Sequence, residues 1–257
     1  MRFPPCVIFC VTIAAAQAPV APPPTLALSP AVIMVRCKPG QSTTQTLTVA
    51  NHTSRDLSFT LATEDVVVRD GKRVFLRAGQ TANGIAITSV ATPTSVMVKA
   101  GGDASVQVTF TLPPETGQRA VVTFFRSIPT ISADGTVGLS ASLGTLITFE
   151  LTSGYNLSIG PVAASLQTPT ANMILSEELH NTGSEPILPK GVVVILNASG
   201  KRVSKAAFNI QRLLPGERLI FAATNPEQLP PGKYQTLSSF EVERKLLTSA
   251  GEFAIPE

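Results

Sequence analysis

Short runs of alternating apolar and polar residues cover most of the chain, and turn residues separate them. Such runs are typical of β-strands with one buried face. No stretch keeps a helical spacing of apolar residues with capping residues at its ends. Asp70-Gly71 lies between VVVR and KRVFLR and favours a two-residue hairpin, because both turn positions need positive φ. The pattern predicts an all-β sandwich.

This pattern occurs twice. A first set of strands ends with TLITFEL, and a second set begins with NLSIGPV after residue 153. Segments 111–129 and 228–242 both carry Leu-Pro-Pro before an aromatic-bearing strand, and the strand-ending Asn51 and Asn181 also repeat. Proline fixes φ and has no N–H, so Leu-Pro-Pro suits a crossover between sheets. The sequence therefore predicts two sandwich domains of the same topology.

Tyr234 comes just after Pro231-Gly232-Lys233, at the end of the second Leu-Pro-Pro segment. In sandwich domains a tyrosine at this place can form a tyrosine corner, in which its hydroxyl bonds to the backbone just upstream. An ordinary half-buried aromatic of the strand is the alternative interpretation.

The first residues differ from the rest. Arg2 precedes the apolar run CVIFCVTIAAA, and Ala14-Ala15-Ala16 fits the small-residue pattern before a signal-peptide cleavage site. The run is too short to cross a bilayer as a helix. The sequence predicts a secretory signal peptide at 1–16 and a Pro-rich connector at 17–27, with a buried N-terminal strand as the alternative.

Composition and cysteine content exclude several classes of protein. Hydrophobic residues make up 44% of the chain and charged residues 14%, which allows a large core and argues against disorder. The formal net charge of +3 is too small to indicate nucleic-acid binding. Loss of the signal peptide leaves Cys37 alone, so no internal disulfide can form, and its apolar surroundings predict a buried structural thiol.

No group of residues indicates catalysis, a cofactor or a metal. His52 and His180 lie in separate turns, without metal-ligand spacing. Nucleophile-elbow, His-Glu-x-x-His and phosphate-loop motifs do not occur. The chain is therefore predicted not to be an enzyme, since a function must be argued from a site.

Three charged clusters have simple structural interpretations. The neighbours Glu64-Asp65 and Glu177-Glu178 point to opposite faces of a strand, so neither pair can act together, and both are interpreted as solvated strand ends. The basic residues Arg69, Lys72 and Arg73 flank the predicted hairpin and are interpreted as a solubility device.

Several segments of the first half resemble the periplasmic pilus chaperones, the PapD-like family. Residues 39–51 are similar to the first turn and second strand of the family, 91–93 to its Thr-Pro segment, and 118–129 to its sixth strand. The resemblance implies an all-β fold of two tandem immunoglobulin-like β-sandwich domains, at 28–152 and 153–257. The layout also resembles the exported WxL-interacting proteins of the Gram-positive cell wall.

In such chaperones the seventh strand adds to the sheet of an incomplete subunit, so that main-chain hydrogen bonds give affinity and side-chain pockets give register. The corresponding segment here is GTVGLSASLGTLITFEL. The residues that alternate on one of its faces are Val137, Leu139, Ala141, Leu143, Thr145, Ile147 and Phe149. Alternation alone does not separate binding to a partner from packing into the domain's own core.

The family also binds the terminal carboxylate of its subunit with an Arg in the first strand and a Lys in the seventh. Here Val35 stands at the Arg position and Arg36 follows it, while the seventh strand has no Lys. A shift of one residue turns a side chain to the opposite face unless a bulge intervenes. Arg36 is the candidate partner-binding cation, and an exposed strand cation is the alternative.

The resemblance implies an exported, non-catalytic protein of the periplasm or cell envelope. It would bind an envelope or pilus subunit by edge-strand pairing, without nucleic acid and without a membrane span. The alternative is a structural or adhesive envelope scaffold that lends no strand. The two differ in whether the segment 135–151 has an available edge.

Overall fold

The computed structural model describes residues 25–115, 117–128, 141–152, 154–166 and 172–256. Within these ranges the chain forms β-strands and one short 3-10 turn, Ala86–Thr88. No helix in these ranges is long and apolar enough to cross a bilayer. The predicted signal peptide and most of the predicted connector lie outside the described residues.

The first sandwich contains two facing sheets. Its strands are β1 (Leu26–Ser29), β2 (Val32–Arg36), β3 (Ser42–Asn51), β4 (Leu57–Arg69), β5 (Lys72–Arg77), β6 (Val90–Thr92), β7 (Ser95–Val98), β8 (Asp103–Thr111), β9 (Ala120–Ser127) and β10 (Ser142–Glu150). One sheet has the order β1-β3-β8-β6; the other has the order β2-β10-β9-β4-β5, and β7 also pairs with β4. Only β2 and β10 run parallel among these pairs.

The second sandwich is antiparallel throughout its described strands. They are β11 (Leu157–Ile159), β12 (Ala163–Ser165), β13 (Ile174–Asn181), β14 (Lys190–Asn197), β15 (Arg202–Ala207), β16 (Arg218–Thr224), β17 (Gly232–Val242) and β18 (Lys245–Ile255). In one sheet β13 pairs with β11, β12 and β16, and the other has the order β15-β14-β17-β18. The predicted all-β fold of two tandem immunoglobulin-like sandwiches is confirmed.

Strand β1 begins at Leu26, earlier than the predicted start of the first domain at residue 28. The short run LALS pairs with the end of β3, where Leu26 lies opposite Asn51. Leu26 and Leu28 pack against the core, so these residues belong to the sandwich and not to the connector.

Each sandwich has its own aromatic core. In the first, Phe59 contacts Phe125 edge-on, with ring centroids 6.4 Å apart. In the second, Phe221 contacts Phe240 edge-on at 5.9 Å. All four rings are fully buried, and each stabilises the fold by about 2–3 kcal/mol.

Cys37 is only half-buried at the edge of the first core, less enclosed than predicted.

The repeated asparagines occupy equivalent turns in the two sandwiches. Asn51 and Asn181 are both fully buried. Each side-chain amide donates 2.8 Å to the carbonyl four residues later, and each side-chain oxygen accepts the N–H two residues later, at 3.0 and 2.9 Å. The amide thus replaces the hydrogen bonds that a tight turn leaves unmade, which supports the predicted repeat.

Tyr234 forms the predicted tyrosine corner. Its hydroxyl donates to the carbonyl of Pro230 at 2.7 Å. The ring is buried and stacks on Phe253, with centroids 5.3 Å apart. The hydrogen bond fixes the loop before β17 to the strand itself.

Three of the four carboxylates predicted to be solvated, Glu64, Asp65 and Glu177, are buried instead. Asp65 is fully buried, and its Oδ1 accepts the N–H groups of Ile85 and Ala86 at 2.8 and 2.9 Å. Glu177 is 1% exposed, and neither of its oxygens has a hydrogen-bond partner in the described structure. The alternation argument was right about opposite faces but could not show that one face of β4 and β13 lies inside.

Burial raises the pKa of Glu177 above its usual value, because a low-dielectric environment disfavours the charged form. The hydroxyls of Ser238 and Ser249 oppose this rise, although neither reaches hydrogen-bond geometry with the carboxylate. The second core therefore favours a protonated Glu177.

We expect Glu177→Gln to flatten the pH dependence of unfolding. With a raised folded pKa, the stability contributed by the neutral carboxyl is complete below the unfolded pKa of about 4.3 and is lost as the pH rises through the folded pKa. The variant should therefore lose less free energy of unfolding than the parent between about pH 4 and pH 7, measured in urea. The exposed neighbour supplies the control, Glu178→Gln, which should keep the parental slope. Equal slopes in Glu177→Gln and the parent would contradict the prediction.

Candidate partner-binding edge and inter-domain cleft

Strand β10, predicted to bind a partner, has a different environment in its two halves. On one side β9 pairs with it from Ser142 to Thr148. On the other side β2 pairs only with its second half, Leu146 to Glu150. Among the described strands none pairs with Ser142–Thr145 on the β2 side. The hydroxyl of Thr145 donates to the Pro30 carbonyl there at 2.8 Å, so the open stretch is Ser142–Gly144. The second half is therefore covered on both edges, and the first half has an open edge.

The main-chain groups of this open edge can be assigned from the register. The N–H of Leu146 donates to the carbonyl of Ala31 on the β2 side at 3.0 Å, whereas the carbonyl of Ala141 accepts from the β9 side at 2.8 Å. Successive residues of a strand direct these groups to opposite edges. Ser142 and Gly144 therefore direct their N–H and C=O groups outward.

Most of the predicted partner-facing side chains point into the first sandwich. Thr145, Ile147 and Phe149 are fully buried. This burial favours the alternative left open by the alternation, in which their face of β10 packs into the domain's own core. Leu143 and Ala141 are partly exposed, and Val137 and Leu139 lie outside the described residues.

Gly144 allows its strand to lie closely against an aromatic ring. A Cβ atom there would come within 2.9 Å of Val122 Cγ1 and 3.1 Å of Phe124 Cδ1. Phe124 also contacts the half-exposed Phe75 edge-on at 6.0 Å. The guanidinium of Arg126 lies 4.9 Å from the centroid of the Phe124 ring, which is a cation–π contact. The open edge is therefore bordered by an exposed aromatic surface.

Arg36 already has a carboxylate partner. Its Nε donates to Glu150 Oε2 at 2.7 Å, and the two residues are directly paired in the β2–β10 ladder. Glu150 is buried while Arg36 is 70% exposed. The hydrogen bond to Glu150 raises the pKa of Arg36. The strand on which the resemblance implied a Lys thus carries the anion Glu150 instead. Glu150 forms an ion pair with Arg36, the predicted partner-binding cation.

A cavity of about 460 Å³ lies between the two sandwiches. Val32, Arg73 and Leu146 line it from the first sandwich, and Ile210 and Arg212 line it from the second. Val32 and its neighbour on the same face of β2, Met34, are about half exposed at this cleft. The cleft therefore combines apolar walls with charged side chains, among them Glu217, which pairs with Arg73.

Arg212 has an unsatisfied donor in the cleft. Its Nη1 donates to Met34 Sδ, a weak acceptor, at 3.0 Å. Its Nε is buried and has no hydrogen-bond partner in the described structure. Burial lowers the pKa of Arg212, the charge of Glu150 opposes this, and Arg73 adds to it. No ion pair with another described residue balances the charge of Arg212.

The hairpin tip is a structural contact between the sandwiches, which corrects its interpretation as a solubility device. Arg73 donates through Nε and Nη2 to both oxygens of Glu217, at 2.6 and 3.0 Å. Glu217 is 1% exposed and also accepts the N–H of Leu214 at 2.8 Å. The N–H of Arg218 donates to the Gly71 carbonyl at 2.9 Å. The bidentate geometry fixes the β4–β5 hairpin against the second sandwich.

Glu185 joins the second sandwich to the segment that connects the two domains. Its fully buried carboxylate accepts the N–H groups of Leu151 and Thr152, at 3.0 and 3.1 Å, and the Thr152 hydroxyl at 2.6 Å. Arg119 of the first sandwich donates to it at 3.3 Å. The Glu185 carboxylate thus contacts both the connecting segment and Arg119, the residue just before β9.

Sequence reasoning missed Glu150, Glu185, Arg212 and Glu217. Each is a single charged residue in an otherwise ordinary stretch, and its partner lies far away in the chain. The apolar cluster of Val66, Val122, Leu146 and Leu214 joins the two sandwiches in the same way, with no local signal. Among the described residues no group of three or more His, Cys, Asp or Glu could hold a metal.

No family model matches the chain, and no curated protein does. Solved structures do. The chain resembles the PapD-like chaperones. A chain of the CsuC–CsuE chaperone–tip adhesion subunit complex of Acinetobacter baumannii is 12% identical, with a TM-score of 0.45 over 88% of this chain and 98% of that one.

The Escherichia coli chaperone DraB is 16% identical, with a TM-score of 0.42 over 91% of this chain and 99% of that one. A PapD-like domain of human CEP192 is 18% identical, with a TM-score of 0.35 over 55% of this chain and 96% of that one. At these identities and TM-scores the likeness concerns the fold alone and says nothing of what this chain binds.

We expect Glu185→Gln to destabilise the protein by about 2–4 kcal/mol, because it removes a buried charge partner of Arg119 and replaces one of the two acceptor oxygens that bind the connecting segment by an NH2 donor. Urea unfolding measures the loss, and small-angle X-ray scattering measures the wider spread of inter-domain distances that we also expect. Breaking the exposed Arg218–Glu178 pair with Glu178→Gln should cost under about 1 kcal/mol. An unchanged scattering curve for a destabilised Glu185→Gln variant would refute its role in domain orientation.

Proposed function

We propose that this protein is exported to the periplasm or cell envelope and binds another protein there by adding a strand to β10. The observation that carries the proposal is the open edge at Ser142–Gly144, next to exposed apolar residues of the cleft. A pilus or other envelope subunit is the class of partner that the resemblance to PapD-like chaperones implies. No catalytic role is proposed.

Main-chain hydrogen bonds would supply the first part of the binding energy. Ser142 and Gly144 offer outward N–H and C=O groups, and a partner strand pairs with such groups without unfolding the sandwich. Strand β2 begins at Val32, and Leu146 is the first residue of β10 that it pairs with. A partner strand would therefore lie in line with β2 along the same edge. Of the predicted face, Leu143 and Ala141 remain as side-chain contacts, together with Val137 and Leu139.

The apolar cleft between the sandwiches would supply the second part of the binding energy. Val32 and Met34 expose apolar surface next to the edge, and such surface attracts a partner when it borders unpaired main-chain groups. Because Arg36 is paired with Glu150, the cation offered to an acidic group of the partner would be Arg212. This proposal moves the carboxylate-binding role from the first strand to the second sandwich.

A structural scaffold of the envelope is the second candidate function. It is favoured by the burial of Ile147 and Phe149 in the protein's own core, because these side chains cannot then be lent to a partner. The second half of β10 is also paired on both edges, by β2 and β9, which likewise favours a scaffold.

Strand addition predicts that Ser142→Pro abolishes partner binding while the sandwich stays folded. Proline removes the outward N–H of residue 142, and edge strands tolerate proline at such positions. The matched control is Ser142→Ala, which keeps the N–H and should bind as the parent does. Native mass spectrometry of the C-terminally tagged protein, purified from the exported fraction of its own host, measures the bound partner.

A partner retained by Ser142→Pro, or the parent protein found without any bound protein, would contradict strand addition. Either result would favour the scaffold. Circular dichroism and urea unfolding of both variants show whether the first sandwich is intact.

A further inference from the structure

The outward face of the sheet β15-β14-β17-β18 is an apolar strip between two charged margins; we call it the outer face of the second domain. In its central row Val194 lies opposite Leu237, which lies opposite Ala250. Val192 precedes Val194 on the same face, and Leu237 is 47% exposed. A shallow depression of about 500 Å³ follows this strip.

Cations predominate on one side of this face and anions on the other. The β14–β15 side carries the cations Lys190, Arg202 and Lys205, and the β17–β18 side carries the anions Glu241 and Glu252 together with one cation, Lys233. All six are exposed. None forms an ion pair with another described residue.

The register places opposite charges in the same rows across the sheet. Lys190 lies opposite Glu241 on the neighbouring strand. Arg202 pairs with Leu196, Leu196 pairs with Gln235, and Gln235 pairs with Glu252, so Arg202 and Glu252 stand at the two ends of one row. In these two rows the cation lies on the β14–β15 side and the anion on the β17–β18 side.

We propose that this face is the site at which a second copy of the chain packs, sheet against sheet. A two-fold axis along the strands, between β14 and β17, exchanges the two margins of the face. Lys190 then meets Glu241 of the second copy, and Arg202 meets Glu252 of the second copy. Val194 meets Leu237 of the second copy in the apolar centre. A two-fold interface must be complementary to itself in this way.

The size of the face sets the strength of this dimer. Four strands about 4.8 Å apart and four rows about 7 Å apart give about 500 Å² per copy, or about 1,000 Å² in total, which is at the low end of specific interfaces. The dimer should therefore be weak and depend on concentration. Face-to-face packing of two twisted sheets is a common arrangement in β-proteins.

Charge exchange between two variants tests the proposal. Lys190→Glu places two anions opposite each other in the dimer, and Glu241→Lys places two cations there, so each variant should dimerise at least tenfold more weakly than the parent. A one-to-one mixture of the two should form a heterodimer, because every contact across the axis then joins opposite charges. Analytical ultracentrifugation over about 1–200 µM measures all three.

Two further variants complete the test. Leu237→Glu should remove the dimer, and Lys38→Glu, the same charge change on the first domain, should leave it intact. Recovery in the mixture cannot come from repair of a misfolded sheet, since each chain keeps its own substitution.

The proposal is overturned if the parent stays monomeric over this range, if the mixture gives no heterodimer, or if Leu237→Glu still dimerises. Binding of the parent face to anionic vesicles instead of to itself would also overturn it. The proposal does not rest on strand addition, because Ser142→Pro lies on the other domain and should leave the dimer unchanged.

Discussion

The buried carboxylate of Glu185 is the contact on which the arrangement of the two sandwiches depends. A buried anion costs several kcal/mol unless it is fully hydrogen-bonded, and here the bonds come from Leu151, Thr152 and Arg119, all outside the second sandwich. Asn181 bonds to the Glu185 backbone and thereby fixes the turn that presents the carboxylate. The second sandwich cannot rotate away without leaving this charge unpaired, so the cleft keeps its shape.

Local features of the fold could be predicted from the sequence because their causes are local. Asp70 and Gly71 both have positive φ, as the hairpin interpretation requires. The corner of Tyr234 and the turns of Asn51 and Asn181 also depend on residues within four positions. Alternation located most strands of both sandwiches, since burial of one face imposes a period of two, but it missed the start of the short β1.

The candidate site could not be predicted in the same way. Alternation along β10 shows that two faces differ, but only the pairing of β2 and β9 decides which edge is open. The ion pairs Arg36–Glu150 and Arg73–Glu217 join residues 114 and 144 positions apart. A single charged residue has no signature of such a partner, so Arg73 resembles any surface cation until the second sandwich is placed beside it.

The two repeated turns show how a shared fold acquires separate uses. Four residues after Asn51 the chain has Arg55, which is exposed, whereas four residues after Asn181 it has Glu185, which is buried. The turn is stable with either residue, because the asparagine bonds only to the backbone there. The side chain at this position was therefore free to become the inter-domain contact in one sandwich alone. That contact leaves the edge of β10 and the outward face of the sheet β15-β14-β17-β18 uncovered, and these two surfaces are where binding to other chains must be sought.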